Sequence, residues 1–194
     1  MKFLKKNTCI KNFSLFGIIV FLSGVGFIYS GLYPMGADVH HNKLTYWVLE
    51  TLRENSIARA SKDINIPENL EDSGRLLAGG PDYNEMCSGC HLRPGRAQSD
   101  FTLGLYPVPP NLTQDHRDHH DEVVSGSQQT LEQDRRMFWI IKHGIKASGM
   151  PSWAPGHDDD RIWNMVAFLK NLPNLTSVEY QILTARGENE SGHH

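Results

Sequence analysis

The chain is poor in cysteine, and this scarcity excludes several kinds of site. It has 3 cysteines among 194 residues, at positions 9, 87 and 90. Cys87 and Cys90 form one pair, and no second pair is present to complete a four-ligand zinc site. No βαβ pattern surrounds the pair, as a thioredoxin-like redox motif requires. The function of the pair therefore has to be sought in its immediate neighbours.

An excess of basic residues is also missing. The chain has 19 Lys and Arg against 22 Asp and Glu, a formal net charge of −3. Four lysines lie in residues 1–33, which contain no acid, so the rest of the chain has 15 basic against 22 acidic groups and a net charge of about −7. This acidity keeps the larger part soluble and argues against a nucleic-acid partner.

Long apolar runs are absent except for one near the N-terminus. From Phe13 to Tyr33 there are 21 residues without a charge, and a helix of that length spans about 31 Å, enough to cross a membrane. The basic residues before it predict a cytoplasmic segment 1–11, an anchor 12–34 in the bacterial inner membrane, and a periplasmic remainder. Cys9 then lies on the cytoplasmic side as a plain thiol. A cleavable signal peptide is the alternative, although its apolar core would be shorter.

One motif gives the cysteine pair a role. Cys87-Ser88-Gly89-Cys90-His91 occurs once, and C-x-x-C-H is the attachment sequence of a c-type haem. Two thiols three residues apart lie one helical turn from each other, so both can reach the vinyl groups of one porphyrin. His91 is then placed to ligate the iron. The motif predicts one covalent haem c.

A loop methionine is the expected second iron ligand. Met150 lies in Gly149-Met150-Pro151, between two predicted helices and far enough beyond His91 for the chain to pass round the ring. Met86 and Met165 fit core positions, and Met137 is ambiguous. A methionine opposite a histidine raises the reduction potential and fills the last coordination site, as in electron-transfer haems.

Apolar periodicity predicts helices and no strands, hence an all-α fold. A helix over 44–60 either lies on the membrane surface or packs on the haem domain. Thr130-x-x-Gln133 predicts a capping box that opens a helix ending at Gly144. A last helix begins after Asp158 and stops at Pro173. The predicted segments are a juxtamembrane helix and linker at 35–72, with the linker over 64–72, a haem domain at 73–186 and a disordered tail at 187–194.

The landmarks resemble the class I single-haem cytochromes c, especially the membrane-anchored bacterial members. They run in order through residues 73–180: Gly79, Tyr83, the haem-attachment run, Pro109-Pro110-Asn111-Leu112, Gly149-Met150-Pro151 and Ile162-Trp163. The resemblance implies helices wrapped round one haem, with the first and last helices crossing closely at Gly79 and Tyr83 packed on Trp163 or nearby apolar residues. It also implies that a proline carbonyl accepts a hydrogen bond from His91, for which Pro110 is chosen.

Two residues depart from this pattern. Pro81 falls inside the first helix of the haem domain, where the missing backbone N–H is expected to kink or restart the helix. Leu92 stands where a glycine often follows the histidine. Neither position is an iron ligand, so both departures concern local geometry.

Other side chains are weaker candidates. Trp153 or Trp139 is expected to line the haem pocket, with an indole N–H donating to a propionate, although core packing explains both equally well. Arg93, Arg96 and Lys146 are further propionate candidates. His143 fits the end of a helix better than it fits iron. The cluster His116, His119 and His120 has no defined scaffold and reads as a solvated loop more than as a metal site.

Together these patterns predict an electron carrier and not an enzyme. Its partners are redox proteins in or at the membrane, with no small-molecule substrate. The alternative is a haem-bearing subunit of a multisubunit dehydrogenase or terminal oxidase. A gas sensor would need an open sixth position, against which Met150 argues.

Overall fold

The computed structural model describes residues 2–114 and 126–185. All regular structure within these ranges is helical, which confirms the all-α prediction. The tail 187–194 and the histidines at 116, 119 and 120 lie outside the described residues. The elements are α1 (Lys2–Tyr29), α2 (Lys43–Ser61), α3 (Ser73–Asp82), a π turn (Tyr83–Cys87), α4 (Ser88–His91), α5 (Asp100–Gly104), α6 (Gly126–His143), α7 (Asp159–Asn171), a 3₁₀ turn (Leu172–Asn174) and α8 (Ser177–Thr184).

Residues 1–39 form one unit, built on α1. Its apolar part, Lys11–Tyr29, has 19 residues and a mean hydropathy of 1.8, and is long and apolar enough to cross a membrane. Side chains such as Phe13 and Phe21 are 79% and 69% exposed, so nothing in this unit covers them. An apolar helix with side chains exposed in this way fits lipid contact, and a signal sequence has the same character.

The second unit, residues 40–194, is organised by the crossing of α3 and α7. Tyr83 is fully buried; its ring lies 5.3 Å from Phe168 and 6.3 Å from Tyr180. The resemblance also offered Trp163 as a partner for Tyr83. Trp163 stacks on Phe138 instead, with the ring centroids 4.3 Å apart. Two clusters of aromatic rings therefore fill the core, one on each side of α7: Tyr83, Phe168 and Tyr180 in one, Phe138 and Trp163 in the other. This core supports the turn that carries the cysteine pair.

Helix α7 begins and ends as the sequence predicts. The carboxylate of Asp158 accepts the backbone N–H of Arg161 at 2.8 Å, and Pro173 lies in the 3₁₀ turn that follows the helix. It is not the last helix, however, because α8 follows it. The overlooked signal is a capping box in which Thr176 and Glu179 bond each other's backbone N–H. Eight residues give too little periodicity to be read without that cap.

Helix α2 has nearly the predicted bounds, and of the two expected positions it takes the one on the haem domain. It packs on α6, with Ile57 and Ser61 each only 2% exposed. The apolar stripe that indicated the helix, Leu44, Val48 and Leu52, lies on the outer side and is 46–69% exposed. The helix therefore buries the face opposite to its most apolar stripe.

The segment that follows α2 has no regular structure, but it is not a free linker. Leu70 is 4% exposed and belongs to the main core, against which Ile64 and Ile66 also pack. The backbone carbonyl of Ile64 accepts a 3.0 Å hydrogen bond from Arg135 of α6. These contacts tie α2 to the rest of the unit from its C-terminal end.

Two predicted features of local structure differ in detail. Helix α6 begins at Gly126, one turn before Thr130, so Thr130 is not its N-cap. No proline lies between these positions to stop the helix from extending, and a capping pair is only a weak local signal. The proline and glycine residues between Arg93 and Gln114 predict a loop throughout, yet this stretch contains the short α5, capped by Ser99 and Thr102.

Candidate cofactor site

The cysteine pair is positioned by an interruption of the helix that carries it. Pro81 has no N–H, and the α-helical part of α3 ends one residue later, at Asp82. The chain continues through the π turn Tyr83–Cys87 into α4, which carries Cys90 and His91. The expected restart after Pro81 is therefore present, and it sets the direction in which α4 leaves the core.

Hydrogen bonds from Tyr83 and Ser88 fix this turn. The phenol of Tyr83 donates to the carbonyl of Leu92 at 2.7 Å, and the Ser88 hydroxyl donates to the carbonyl of Asn84 at 2.7 Å. Leu92 has a φ of 69°, in the left-handed region where glycine is favoured, which explains why a leucine here is a departure. Burial of its side chain (3% exposed) and the bond from Tyr83 hold it in that conformation.

The environment of Cys87 favours the protonated thiol. Burial, then the nearby charges of Asp82 and Cys90, raise the pKa of Cys87 to about 12. Metal-binding and redox-active cysteines need the thiolate and lie where their pKa is lowered. The surroundings of Cys87 therefore disfavour the thiolate that a zinc site or thiol exchange requires.

His91 is oriented by the proline loop. The carbonyl of Pro110 lies 2.9 Å from Nδ1 of His91, so Nδ1 carries the hydrogen and donates it. Burial lowers the pKa of His91, and the bond to Pro110 opposes this shift. The backbone N–H of Leu112 also donates to the carbonyl of His91, at 3.2 Å. Because the Pro110 carbonyl fixes the hydrogen on Nδ1, the neutral ring keeps the Nε2 lone pair for a metal. Histidines that ligate metals are commonly held in this way.

The Met150 loop is fastened to the C-terminal end of α6. Gly144 ends that helix with a φ of 65°, as predicted, and a Cβ there would lie 2.7 Å from the carbonyl oxygen of Met150. The backbone N–H of Ile145 donates to that same carbonyl at 3.1 Å, and Trp153 N–H donates to the carbonyl of Ile141 at 3.2 Å. The loop is therefore held by backbone contacts at both ends.

These parts converge on one cavity of about 630 Å³ with mainly apolar walls. Met86 and Met137 also line it, as does helix α2, whose contribution the sequence did not reveal. Trp139, which stacks on His143 at 5.0 Å, is not on its wall, and neither are Arg93, Arg96 and Lys146. The wall includes all six predicted cofactor-binding residues: Cys87, Cys90, His91, Pro110, Met150 and Trp153.

The donor set of the cavity fits a haem better than a bare metal ion. No group of three or more His, Cys, Asp or Glu that could hold a metal exists in the part of the chain the structure describes. One imidazole and one thioether suffice only where a porphyrin supplies the other ligands. The indole N–H of Trp153 is buried and has no hydrogen-bond partner among the residues that the structure describes, so an acceptor on a bound group would satisfy it.

Comparison with known proteins gives one match. Residues 74–169 match a family model described as "Cytochrome C oxidase, cbb3-type, subunit III". No curated protein and no solved structure matches the chain. The matched segment runs from α3 into α7, and so includes the cysteine pair, His91 and the Met150 loop, whereas α2 and α8 lie outside it.

Proposed function

The chain carries a c-type cytochrome domain, a type that binds haem c covalently and transfers electrons, and on this premise we propose that it is a membrane-anchored electron carrier with one haem. In this proposal Cys87 and Cys90 form the thioethers, and His91 and Met150 are the two axial ligands. The single C-x-x-C-H motif in the sequence supports the number of haems.

The observation that carries the proposal is the meeting of all these residues on one cavity. The two thiols and the imidazole come from the end of the π turn and from α4, and the methionine comes from a loop 59 positions beyond His91, yet they line the same space. A ring bound there would exchange one electron between the ferric and ferrous states of its iron. The chain's own part is to hold both axial ligands and to exclude water.

Several contacts serve that purpose. The Pro110 carbonyl fixes the tautomer and orientation of His91. The backbone bonds of the Met150 loop, and the close approach of Gly144, keep the thioether in one place. Because neither ligand has to move when the charge of the iron changes, little structural rearrangement accompanies electron transfer. Trp153 has a spare N–H for a propionate.

We place the haem domain in the periplasm and the anchor in the inner membrane of a bacterium. The support is the apolar Lys11–Tyr29 helix and the four lysines before Phe13, since basic residues flank the cytoplasmic side of a span. An anchor would keep the haem close to redox proteins in or at the membrane. The proposal includes no small-molecule substrate and no bond-making chemistry in this chain.

One specific observation favours a second candidate function. The matched family model is described as a subunit of a cbb3-type oxidase. We therefore propose, as the second candidate, that the chain is the electron-transfer subunit of a terminal oxidase, with catalysis in its partners. Mild detergent extraction separates the two readings, because a stoichiometric partner with its own cofactor is expected only for a complex subunit.

The main test is covalent haem on the full-length chain made in a host that matures c-type cytochromes. The wild-type protein should keep haem on a denaturing gel and show a sharp reduced spectrum typical of six-coordinate haem c. The variant Cys87→Ser/Cys90→Ser should lose the haem stain, and Cys9→Ser, the matched control, should keep it. A wild-type chain without haem under these conditions would overturn the proposal.

A further inference from the structure

Helix α2 presents one side to the haem cavity although it lies outside the matched segment. Tyr46, Arg53, Glu54 and Ile57 all line the cavity. Their spacing of seven, eight and eleven residues from Tyr46 places them on a single helical face. The helix therefore forms part of the wall, and its contact with α6 closes the cavity on that side.

Two guanidinium groups on this side are held by a shared carboxylate. Glu54 forms ion pairs with Arg53 of its own helix and with Arg136 of α6, and Glu50 forms a further pair with Arg53. These bonds use Nε and one Nη of Arg53 and one Nη of Arg136, so N–H groups on both remain unbonded within the described residues. A guanidinium has five donors, enough for a second carboxylate.

Arg53 and Arg136 each keep more unbonded N–H donors than the other cation on the described cavity wall. The other cation there is Lys170, whose ammonium lies 2.6 Å from Glu71 and 2.6 Å from Asp134. Two carboxylates already compensate that single charge. An additional anion in the cavity would therefore be bound by Arg53 and Arg136 and not by Lys170.

A haem joined to the two cysteines would bring two propionate carboxylates to a part of the cavity wall away from α4. The vinyl groups that join the cysteines and the two propionates lie on opposite edges of a c-type haem. Cys90 is on α4, which packs on the π turn and on α5, while Arg53 and Arg136 are on the α2 and α6 pair. With the vinyl edge at α4, the propionate edge points to a different part of the wall, where planar guanidinium groups bind carboxylates bidentately.

We propose that Arg53 and Arg136 bind the haem propionates, and that α2 is thereby an added wall of the haem pocket that lies outside the matched segment. This inference rests on the proposed function, since it presumes that the cavity holds a haem. Glu50 and Glu54 act as positioning residues that fix the two guanidinium groups in advance. Each cation beside the ring disfavours the more positively charged ferric state and so raises the reduction potential.

The test compares charge-removing variants of the full-length haem protein. Arg53→Gln and Arg136→Gln should each lower the midpoint potential measured at fixed pH, and should shift the propionate bending band in the resonance Raman spectrum. Arg59→Gln is the matched control: it removes the same charge from an exposed position of α2 that is not on the cavity wall. Arg53→Lys keeps the charge and should retain most of the potential.

The outcomes separate this inference from the proposed function. Loss of covalent haem in the wild-type chain overturns the function itself. If the wild type carries haem ligated by His91 and Met150 but the Arg53 and Arg136 variants match Arg59→Gln in both potential and propionate band, the inference alone is overturned. A lowered potential and shifted band in either cavity variant, with the control unchanged, supports it.

Discussion

The carbonyl oxygen of Asn164 in α7 would lie 2.0 Å from a Cβ at Gly79 in α3, a distance that no real contact permits. The two helices cross at this point with their backbones touching. This crossing fixes the end of α3, hence the π turn and the placement of Cys87. A glycine far from the cavity therefore determines where the cysteine pair lies.

Replacing Gly79 with alanine should destabilise the protein. The methyl group would meet backbone atoms of Asn164, which cannot swing aside as a side chain can. Overpacking of this kind costs about 1–3 kcal/mol in the free energy of unfolding. Denaturant unfolding of the full-length haem protein in detergent measures it.

Gly74 provides the control in the same helix. Nothing lies within 4 Å of a Cβ at that position, so Gly74→Ala should leave the stability unchanged or raise it slightly, since alanine is the better helix former. Equal effects of the two substitutions would show that helix propensity, and not the α3–α7 contact, governs position 79.

A second prediction concerns Met150. Met150→Leu keeps the volume of the side chain but removes the sulfur, so the covalent haem should remain while the reduction potential falls and reduced protein binds carbon monoxide readily. Met137→Leu is the control, because Met137 lines the same cavity and lies within α6. An unchanged potential in Met150→Leu, or an equal fall in both variants, would remove Met150 from its proposed role.

The side of the site that carries the proposed iron ligands was readable from sequence because its signals are local. C-x-x-C-H requires its residues to be adjacent, and a methionine between glycine and proline is conspicuous. Gly144 was also readable, since a helix end of this kind favours a residue without a Cβ, whereas the close crossing at Gly79 came from the resemblance. The choice of Pro110 came from resemblance, and the structure places its carbonyl 2.9 Å from Nδ1 of His91.

The other side of the cavity was not readable because it depends on tertiary contacts. Leu44, Val48 and Leu52 indicated only that α2 is a helix, whereas the face that lines the cavity contains Arg53, Glu54 and Ile57. The ion pair between Glu54 of α2 and Arg136 of α6 compensates both charges on this face. A hydropathy pattern would instead assign charged residues to the exposed face of the helix. The sequence also offers three other cations as candidates for binding the propionates, and none of them lies on the cavity wall: Arg93, Arg96 and Lys146.

A third prediction concerns the pH dependence of stability around Lys170. Burial raises the pKa of Asp134, which the hydrogen bond from Lys170 opposes. Burial alone would lower the pKa of Lys170, but bonds to Asp134 and Glu71 outweigh it and raise that pKa. Asp134 is 3% exposed in its side chain. Lys170→Met leaves this carboxylate buried and unpaired, which should cost about 3–5 kcal/mol of unfolding free energy at neutral pH.

The sign of the pH effect follows from the direction of the shift. Without Lys170 the folded-state pKa of Asp134 rises further above 3.8. A group whose pKa is raised in the folded state stabilises the fold at any pH below its pKa in the unfolded state. This stabilisation is lost as the pH rises through the pKa of the folded state. The variant should therefore be closest to wild type near pH 4 and fall behind towards neutral pH in urea titrations. Asp134→Asn/Lys170→Met, which removes both charges, should recover much of the loss; a pH-independent deficit in the single variant would contradict this account.

A last prediction concerns the N-terminal helix. If Lys11–Tyr29 is a retained anchor, the intact mass of the mature protein should correspond to a chain that begins near Met1 and carries one haem. Such a chain should stay in the membrane fraction after carbonate washing, because about 20 apolar residues remain in the bilayer without electrostatic help. Protease added outside the inner membrane should cleave residues beyond 40 and spare those before 12. An N-terminus beyond residue 30, with haem in the soluble fraction, would show that the helix is a cleaved signal, and the electron carrier would then have to reach its partners by diffusion.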